Sequence, residues 1–340
     1  MNRNILRWIL AAVMILSLAL TLSYPYSSSA ELVAENGALP LSMKEGGMPW
    51  KEENWTFADE KKKEPLSYED STIKVTFEHG ELAHRLPSGP YAGKSVKDET
   101  WVVRIKINHV SQLRTAFSRD NYTDSAAAPA AQIGKKKNAI VVMNGDFYKQ
   151  SKDKGYTVRQ GELIRAETNT PHNIIYDMLL IDSEGDFHAV YAATKEKIDA
   201  YVAENLTPEG RTILDTFNIG PVLVAYGEVQ DVTQSQVAQY PGEGLFQWST
   251  PIQRIAIVQT GHLEYAIVFV NGKGNRKSGV TMAEFAQFVA EQCPNAFLAY
   301  NLDGGGSANI AAHDKKLYDN SYLRDINDII YFASAEGIEE

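Results

Sequence analysis

Among its 340 residues the chain has a single cysteine, Cys293, so no intrachain disulfide can form and a zinc site built from several thiolates is excluded. Stability must therefore come from the size of the core. Cys293 falls on the apolar face of an expected helix, where a buried thiol acts as a small hydrophobe rather than a nucleophile. Positive charge is also in deficit. The 33 Lys and Arg stand against 43 Asp and Glu, a formal net charge of -10, which argues against nucleic acid as a partner. The apolar run 8–22 is shorter than the roughly 20 residues a membrane helix needs. It follows Arg3 and Arg7 and precedes Ser27-Ser-Ser-Ala30, the layout of a bacterial secretory signal, with an uncleaved anchor over 8–24 as the alternative. Cleavage after Ala30 would remove those two positive charges and no negative one, taking the net charge from -10 to -12. The chain also lacks an internal repeat, the EF-hand spacing and the P-loop lysine.

Hydrophobic residues make up 44% of the chain and charged ones 22%, ordinary values for a globular protein long enough for one large domain. Residues 31–70 are charged and irregular, with Asp59-Glu-Lys-Lys-Lys-Glu64 at their centre, and read as a polar linker. Trp50 and Trp55 are the exception, because paired tryptophans pack on a neighbouring surface. The folded domain is expected over 71–336. Within it, Trp101, Val103, Ile105 and Ile107 alternate with Val102, Arg104 and Lys106 as in a half-buried strand, and Ser111 opens a short helix. Residues 139–143 form a continuous apolar run, expected to be a central strand covered on both faces. Hairpins are expected from 178–181 with 187–191 and from 255–258 with 265–270. Thr281-Met-Ala-Glu284 is a capping box, and Met282, Phe285, Ala286, Val289 and Cys293 recur at helical spacing behind it. Many hairpins and few helices define an α+β class: a mixed, mostly antiparallel sheet with helical cover, in a single large domain.

The most informative segment is Ala299-Tyr-Asn-Leu-Asp-Gly-Gly-Gly-Ser-Ala-Asn309. An apolar run over 297–302 reads as a buried strand that ends in one carboxylate, Asp303, followed by Gly304, Gly305, Gly306 and Ser307. Glycines after a strand let a ligand approach the main chain, and successive N–H groups there form a concavity that suits an anion. The bland alternative is a tight loop capped by Asp303. A nucleophile elbow around Ser307 is ruled out, because Asn309 stands where Gly is needed.

Together with three other segments this run resembles the phosphodiester glycosidase family. The shared elements are the LDGGGS run at 302–307, an earlier N-G-x-F-[FY] turn in Asn144-Gly-Asp-Phe-Tyr148, a G-P-x-L-V segment in Gly220-Pro-Val-Leu-Val224, and an arginine opening a strand, Arg254 of Gln253-Arg-Ile-Ala-Ile-Val258. They occur in the family's order and span about residues 100 to 333. The chain departs from the family's usual R-T-A-[IL]-G after that arginine. Members remove a sugar, often N-acetylglucosamine, from a phosphodiester, and the resemblance implies that activity here, with Asp303 and Asp146 as the catalytic carboxylates. Asn144, Gly145, Arg254, Gly304, Gly305, Gly306 and Ser307 are the expected substrate contacts.

The residues themselves support that chemistry. Glycoside hydrolysis uses two carboxylates, and Asp146 and Asp303 each follow a buried strand. A phosphate leaving group, with a second pKa of about 6, needs less acid catalysis than an alcohol and more charge neutralisation. Arg254, Arg276 and Arg324 are the candidates, with Arg254 favoured because it opens an apolar strand. His109 reads as a strand-end residue rather than a general acid. No cofactor is expected, although Asp303, Asp146 and Asn144 carry the hard oxygens that a divalent cation prefers. The leading expectation is an exported hydrolase, secreted or membrane-anchored outside the cytoplasmic membrane, acting on a sugar 1-phosphodiester of envelope or extracellular polysaccharide. The alternatives are a non-catalytic glycan-binding or exopolysaccharide-assembly protein and a metal-dependent phosphodiesterase.

Overall fold

The computed structural model describes residues 46–120, 127–146, 156–166, 177–232, 248–273, 277–320 and 322–337. All of these fall within the compact unit Pro40–Gly337. The expected signal over 1–30, Phe147, Tyr148 and Arg276 lie outside the described residues. Among those described, no helix is long and apolar enough to cross a membrane.

The strand Arg254–Gly261 shows how the layers arise. Ile255 and Ile257 belong to one buried cluster and Ala256 and Val258 to another, so both faces are covered and the strand reads as an unbroken apolar run. It lies in a nine-stranded sheet whose order is Trp55–Asp59, Glu64–Glu69, Ile73–Arg85, Ser95–Ile107, Glu264–Val270, Arg254–Gly261, Leu298–Asn301, Val222–Ala225 and Glu228–Val229. A five-stranded sheet runs Lys315–Lys316, Ile310–Ala312, Ala139–Asn144, Asp328–Ala333, Leu113–Phe117. The main core lies between them: Trp101, Val103, Ile255, Ile257 and Tyr300 from the first meet Val141, Met143, Ile330 and Phe332 from the second. On the outer face of the larger sheet packs the helix Met282–Gln292, burying Met282, Phe285, Ala286 and Val289. The helix Ala130–Lys136 covers the smaller sheet in the same way through Ala130 and Ile133. Every strand pairing among the described residues is antiparallel, so the fold is mixed but dominated by sheet.

Both expected hairpins form, Met178–Asp182 with Phe187–Val190 and Arg254–Gly261 with Glu264–Val270. The capping box at Thr281 and Glu284 is present, and Cys293 is the buried C-cap of that helix. The expected short helix at Ser111 is a single 3-10 turn, Val110–Gln112.

One expectation needs correction. The polar linker assigned to 31–70 is outside the described residues up to 45, but beyond that Trp55–Asp59 and Glu64–Glu69 are paired strands of the large sheet. The Trp55 ring packs 5.0 Å from Tyr68 and 6.0 Å from Phe77, and this apolar contact outweighs the charge of the connecting turn.

Candidate functional site

Register brings the motif segments together. The strand Leu298–Asn301 lies between Arg254–Gly261 and Val222–Ala225, pairing Asn301 with Ala256 and Tyr300 with Val222. The ends carrying Asp303 and Arg254 are therefore neighbours. The Leu302 N–H donates to Ile255 O at 3.0 Å and the Gly305 N–H to Gln253 O at 2.9 Å. Asn301 Nδ2 donates to Gly220 O at 2.7 Å, and Tyr300 Oη to Phe217 O at 2.9 Å, which ties the Gly220 segment to the same strand.

Arg254 is fully buried, its Nε donating to Val280 O at 3.3 Å and its NH2 to Thr250 O at 3.2 Å. Its NH1 lies 3.6 Å from where a side chain on Gly304 would begin. Burial works against the guanidinium charge, pushing its pKa down, and the Asp303 carboxylate opposes that shift. Asp303 itself is 7% exposed. A cation and a carboxylate thus share the floor of one loop.

That loop is tighter than the glycine run suggests. Gly305 has φ of +58°, and residues 305–307 form a 3-10 turn in which the Ser307 N–H donates to Gly304 O and the Ala308 N–H to Gly305 O, both at 3.2 Å. Of the N–H groups expected to cradle an anion, those of Gly305 and Ser307 are spent on shaping the loop, so the expected concavity shrinks and the Arg254 guanidinium gains weight as an anion contact there. The Ser307 hydroxyl is buried and has no hydrogen-bond partner among the described residues. Arg324 is exposed beside Gly306, and its main-chain N–H donates to Gly306 O at 2.8 Å.

Asn144 closes its strand beside the Asp303 loop and bonds main chain there. Its Nδ2 donates to Asp303 O at 3.0 Å and its Oδ1 accepts from the Asn309 N–H at 2.9 Å, so the amide buckles the two ends of the loop. A side chain held at both ends shapes the site. Gly145 is required by close approach, because a Cβ there would lie 2.4 Å from Asp328 Oδ2.

Asp146 has company that the sequence did not reveal. Its Oδ1 accepts from the Asn218 N–H at 2.8 Å, and its Oδ2 from Asn218 Nδ2 at 3.3 Å and Arg159 NH2 at 3.1 Å. The same Arg159 nitrogen donates to Asp328 Oδ2 at 2.9 Å. Asp215 lies behind, held by the Thr115 hydroxyl at 2.9 Å and the Gln160 N–H at 3.1 Å. Burial pushes Asp328 and Asp215 each up to about 6, Arg159 opposing in both and Asp146 adding to the rise at Asp328. The signal available for Arg159 was a charge closing the alternating run Tyr156-Thr-Val-Arg159.

His109 caps the turn Val110–Gln112, its Nδ1 accepting from the Ser111 N–H at 3.2 Å, while burial lowers its pKa. Among the described residues no group of three or more His, Cys, Asp or Glu is arranged to hold a metal.

Two packed antiparallel sheets thus carry a carboxylate, Asp303, and a buried arginine, Arg254, at the ends of adjacent strands, with Asp146 at the end of a strand of the other sheet. The phosphodiester glycosidase family model matches residues 137–333, more than half of the chain, and the chain belongs to that family. Among solved structures, the zebrafish N-acetylglucosamine-1-phosphodiester alpha-N-acetylglucosaminidase catalytic domain, auto-inhibited by pro-peptide, superposes with a TM-score of 0.59 at 14% identity. That match covers 77% of this chain and 88% of the zebrafish one, and establishes the fold. A hypothetical protein from Synechocystis overlaps with a TM-score of 0.44 at 13% identity, over 78% of this chain and 76% of its own. Comparison with curated proteins found none that matches the chain.

Proposed function

We propose that the protein is an exported hydrolase that cleaves the glycosidic bond of a sugar 1-phosphodiester, of N-acetylglucosamine type, in envelope or extracellular polysaccharide. The observation that carries this reading is Arg254, a buried guanidinium beside Asp303 and against Gly304. Arginine presents a planar donor fork that matches phosphate oxygens, and burial strengthens the contact. Water adds to the anomeric carbon, the bond from that carbon to the bridging oxygen breaks, and its electron pair leaves on the phosphate. The products are the free sugar and a phosphate monoester. Of Asp146 and Asp303, one takes the proton of the attacking water and the other stabilises the cationic sugar ring. Arg254 neutralises the charge that builds on the leaving phosphate. The scheme requires no cofactor.

Export rests on Arg3, Arg7 and the apolar run that follows them. Fractionation with N-terminal sequencing checks it: a cytoplasmic product that begins at Met1 would sink the idea. The activity is tested by incubating the protein with UDP-GlcNAc and with a methyl phosphodiester of GlcNAc 1-phosphate, with and without EDTA. Mass analysis should find free sugar in both cases, with UDP from the first substrate and methyl phosphate from the second. Sugar 1-phosphate formed only without EDTA identifies a metal-dependent phosphodiesterase, and binding without product identifies a glycan-binding protein.

A further inference from the structure

Behind Asp146 lies an ionic group that the hydrolysis scheme does not use. Arg159 is 1% exposed, Asp328 3% and Asp215 0%. Three carboxylates, counting Asp146, act on one guanidinium, which also rests 4.5 Å above the Phe217 ring. A well-packed apolar set would hold the sheets together as firmly, because desolvation consumes most of what buried ion pairs return. What the ionic set adds is direction.

We propose that Asp328 is a positioning residue for this site: through Arg159 and the main-chain N–H of Asp146 it fixes the direction in which the Asp146 carboxylate faces. Its Oδ2 accepts from Arg159 NH2 at 2.9 Å and from the Asp146 N–H at 3.3 Å, gripping Asp146 by side chain and by backbone at once. The Gly145 N–H donates to Asp328 O at 3.1 Å, and the carboxylate fills the space a Gly145 side chain would need. The turn 144–146 is thus held from two directions, by Asp328 and, through the Asn144 amide, by the Asp303 loop. Register supplies the placement, since Ile329, next to Asp328, pairs with Asn144 across the five-stranded sheet.

The charged and titratable groups around this clamp come from four elements. They are Arg159 from Tyr156–Arg159, Asp215 from Ile213–Phe217, Asp328 itself, and Tyr300 from Leu298–Asn301, whose phenol burial holds far above its usual pKa. Tyr300 donates to Asp177 O at 2.7 Å. Burial places the ionisation of Asp328 at about 6. Protonation removes one of the three charges that Arg159 answers to, the one that also holds the Asp146 N–H, so the clamp loosens as pH falls through that value.

The proposal rests on Asp146 lining the reactive site, and the test separates the two ideas. Wild-type kcat should fall below about pH 6. In Asp328→Asn, kcat should be lower by about tenfold to a hundredfold, the scale of a small misplacement, should lose that inflection, and should leave KM nearly unchanged. Arg159→Lys, which keeps the charge without the fork, should lower kcat and retain an inflection. Carbon-13 carboxyl spectra of aspartate-labelled protein supply a readout without turnover, with the Asp146 signal assigned from Asp146→Asn. That signal should move in both variants. If wild type turns nothing over, the hydrolase reading fails while the spectra still decide the positioning role. An unmoved Asp146 signal, or activity that tracks the folded fraction with an unchanged pH profile, overturns the proposal.

Discussion

Replacing Arg254 by Lys separates a phosphate clamp from a structural arginine. The guanidinium reaches Val280 O through Nε and Thr250 O through NH2, and NH1 lies near Gly304. A lysine ammonium is a single point and cannot reproduce that spread. One or both carbonyls then lose a donor inside the protein, at about 1–3 kcal/mol. Thermal stability should fall by several degrees. The contact to phosphate is charge-assisted and contributes about 1.5–3 kcal/mol, which is roughly tenfold to a hundredfold in rate. Only the second loss depends on the leaving group. The assay is therefore a ratio: kcat/KM for the methyl phosphodiester of GlcNAc 1-phosphate divided by kcat/KM for an aryl glycoside of the same sugar. Misfolding cancels in that ratio, because both substrates meet the same folded fraction. The ratio should drop at least about tenfold in Arg254→Lys. Equal losses on the two substrates would refute the clamp and assign Arg254 to the fold or to the sugar.

Asp303→Asn should lower kcat by at least about a hundredfold at matched folded fraction by circular dichroism; activity loss that merely follows unfolding would make Asp303 a cap. Gly145→Ala should cost about 1–3 kcal/mol, because its Cβ would press to 2.4 Å from Asp328 Oδ2, and a denaturant midpoint equal to wild type would show that the turn has room. His262, hydrogen-bonded through Nδ1 to Asp186 Oδ1 at 3.2 Å, has its pKa raised by that bond and by the Asp186 charge, with burial opposing. Its folded value lies above the unfolded one of about 6.5, so its stabilisation is full below that pH and is lost as pH rises through the folded value. The melting temperature of His262→Gln should therefore depend less on pH between about 6 and 8 than that of wild type, and parallel curves would exclude this link.

What was legible in the sequence was local. The capping box at Thr281 and the buried run 139–143 declare themselves within a few residues, since period and burial are short-range properties. The four motif segments were legible as well, and the sheet sets three of them, at Arg254, Gly220 and Leu302, on neighbouring strands. The Arg159 and Asp328 pair was not, because it spans 169 positions and depends on which strands are neighbours. The contacts of Asn144 were not legible either: its amide meets main chain at 303 and 309, and no sequence spacing encodes that. The N-terminal strands were missed because the charged turn 59–64 hid the alternation of Trp55 and Phe57 with Thr56 and Ala58.

The central claim is that the bond from sugar carbon to bridging oxygen breaks. Running the reaction on the methyl phosphodiester of GlcNAc 1-phosphate in water enriched in oxygen-18 tests it most directly. The account predicts the heavy oxygen on the anomeric carbon of the released sugar and none in the methyl phosphate, once exchange at the sugar hemiacetal is measured in a control. Heavy oxygen in the phosphate, or an intact substrate after prolonged incubation with folded protein, would contradict it.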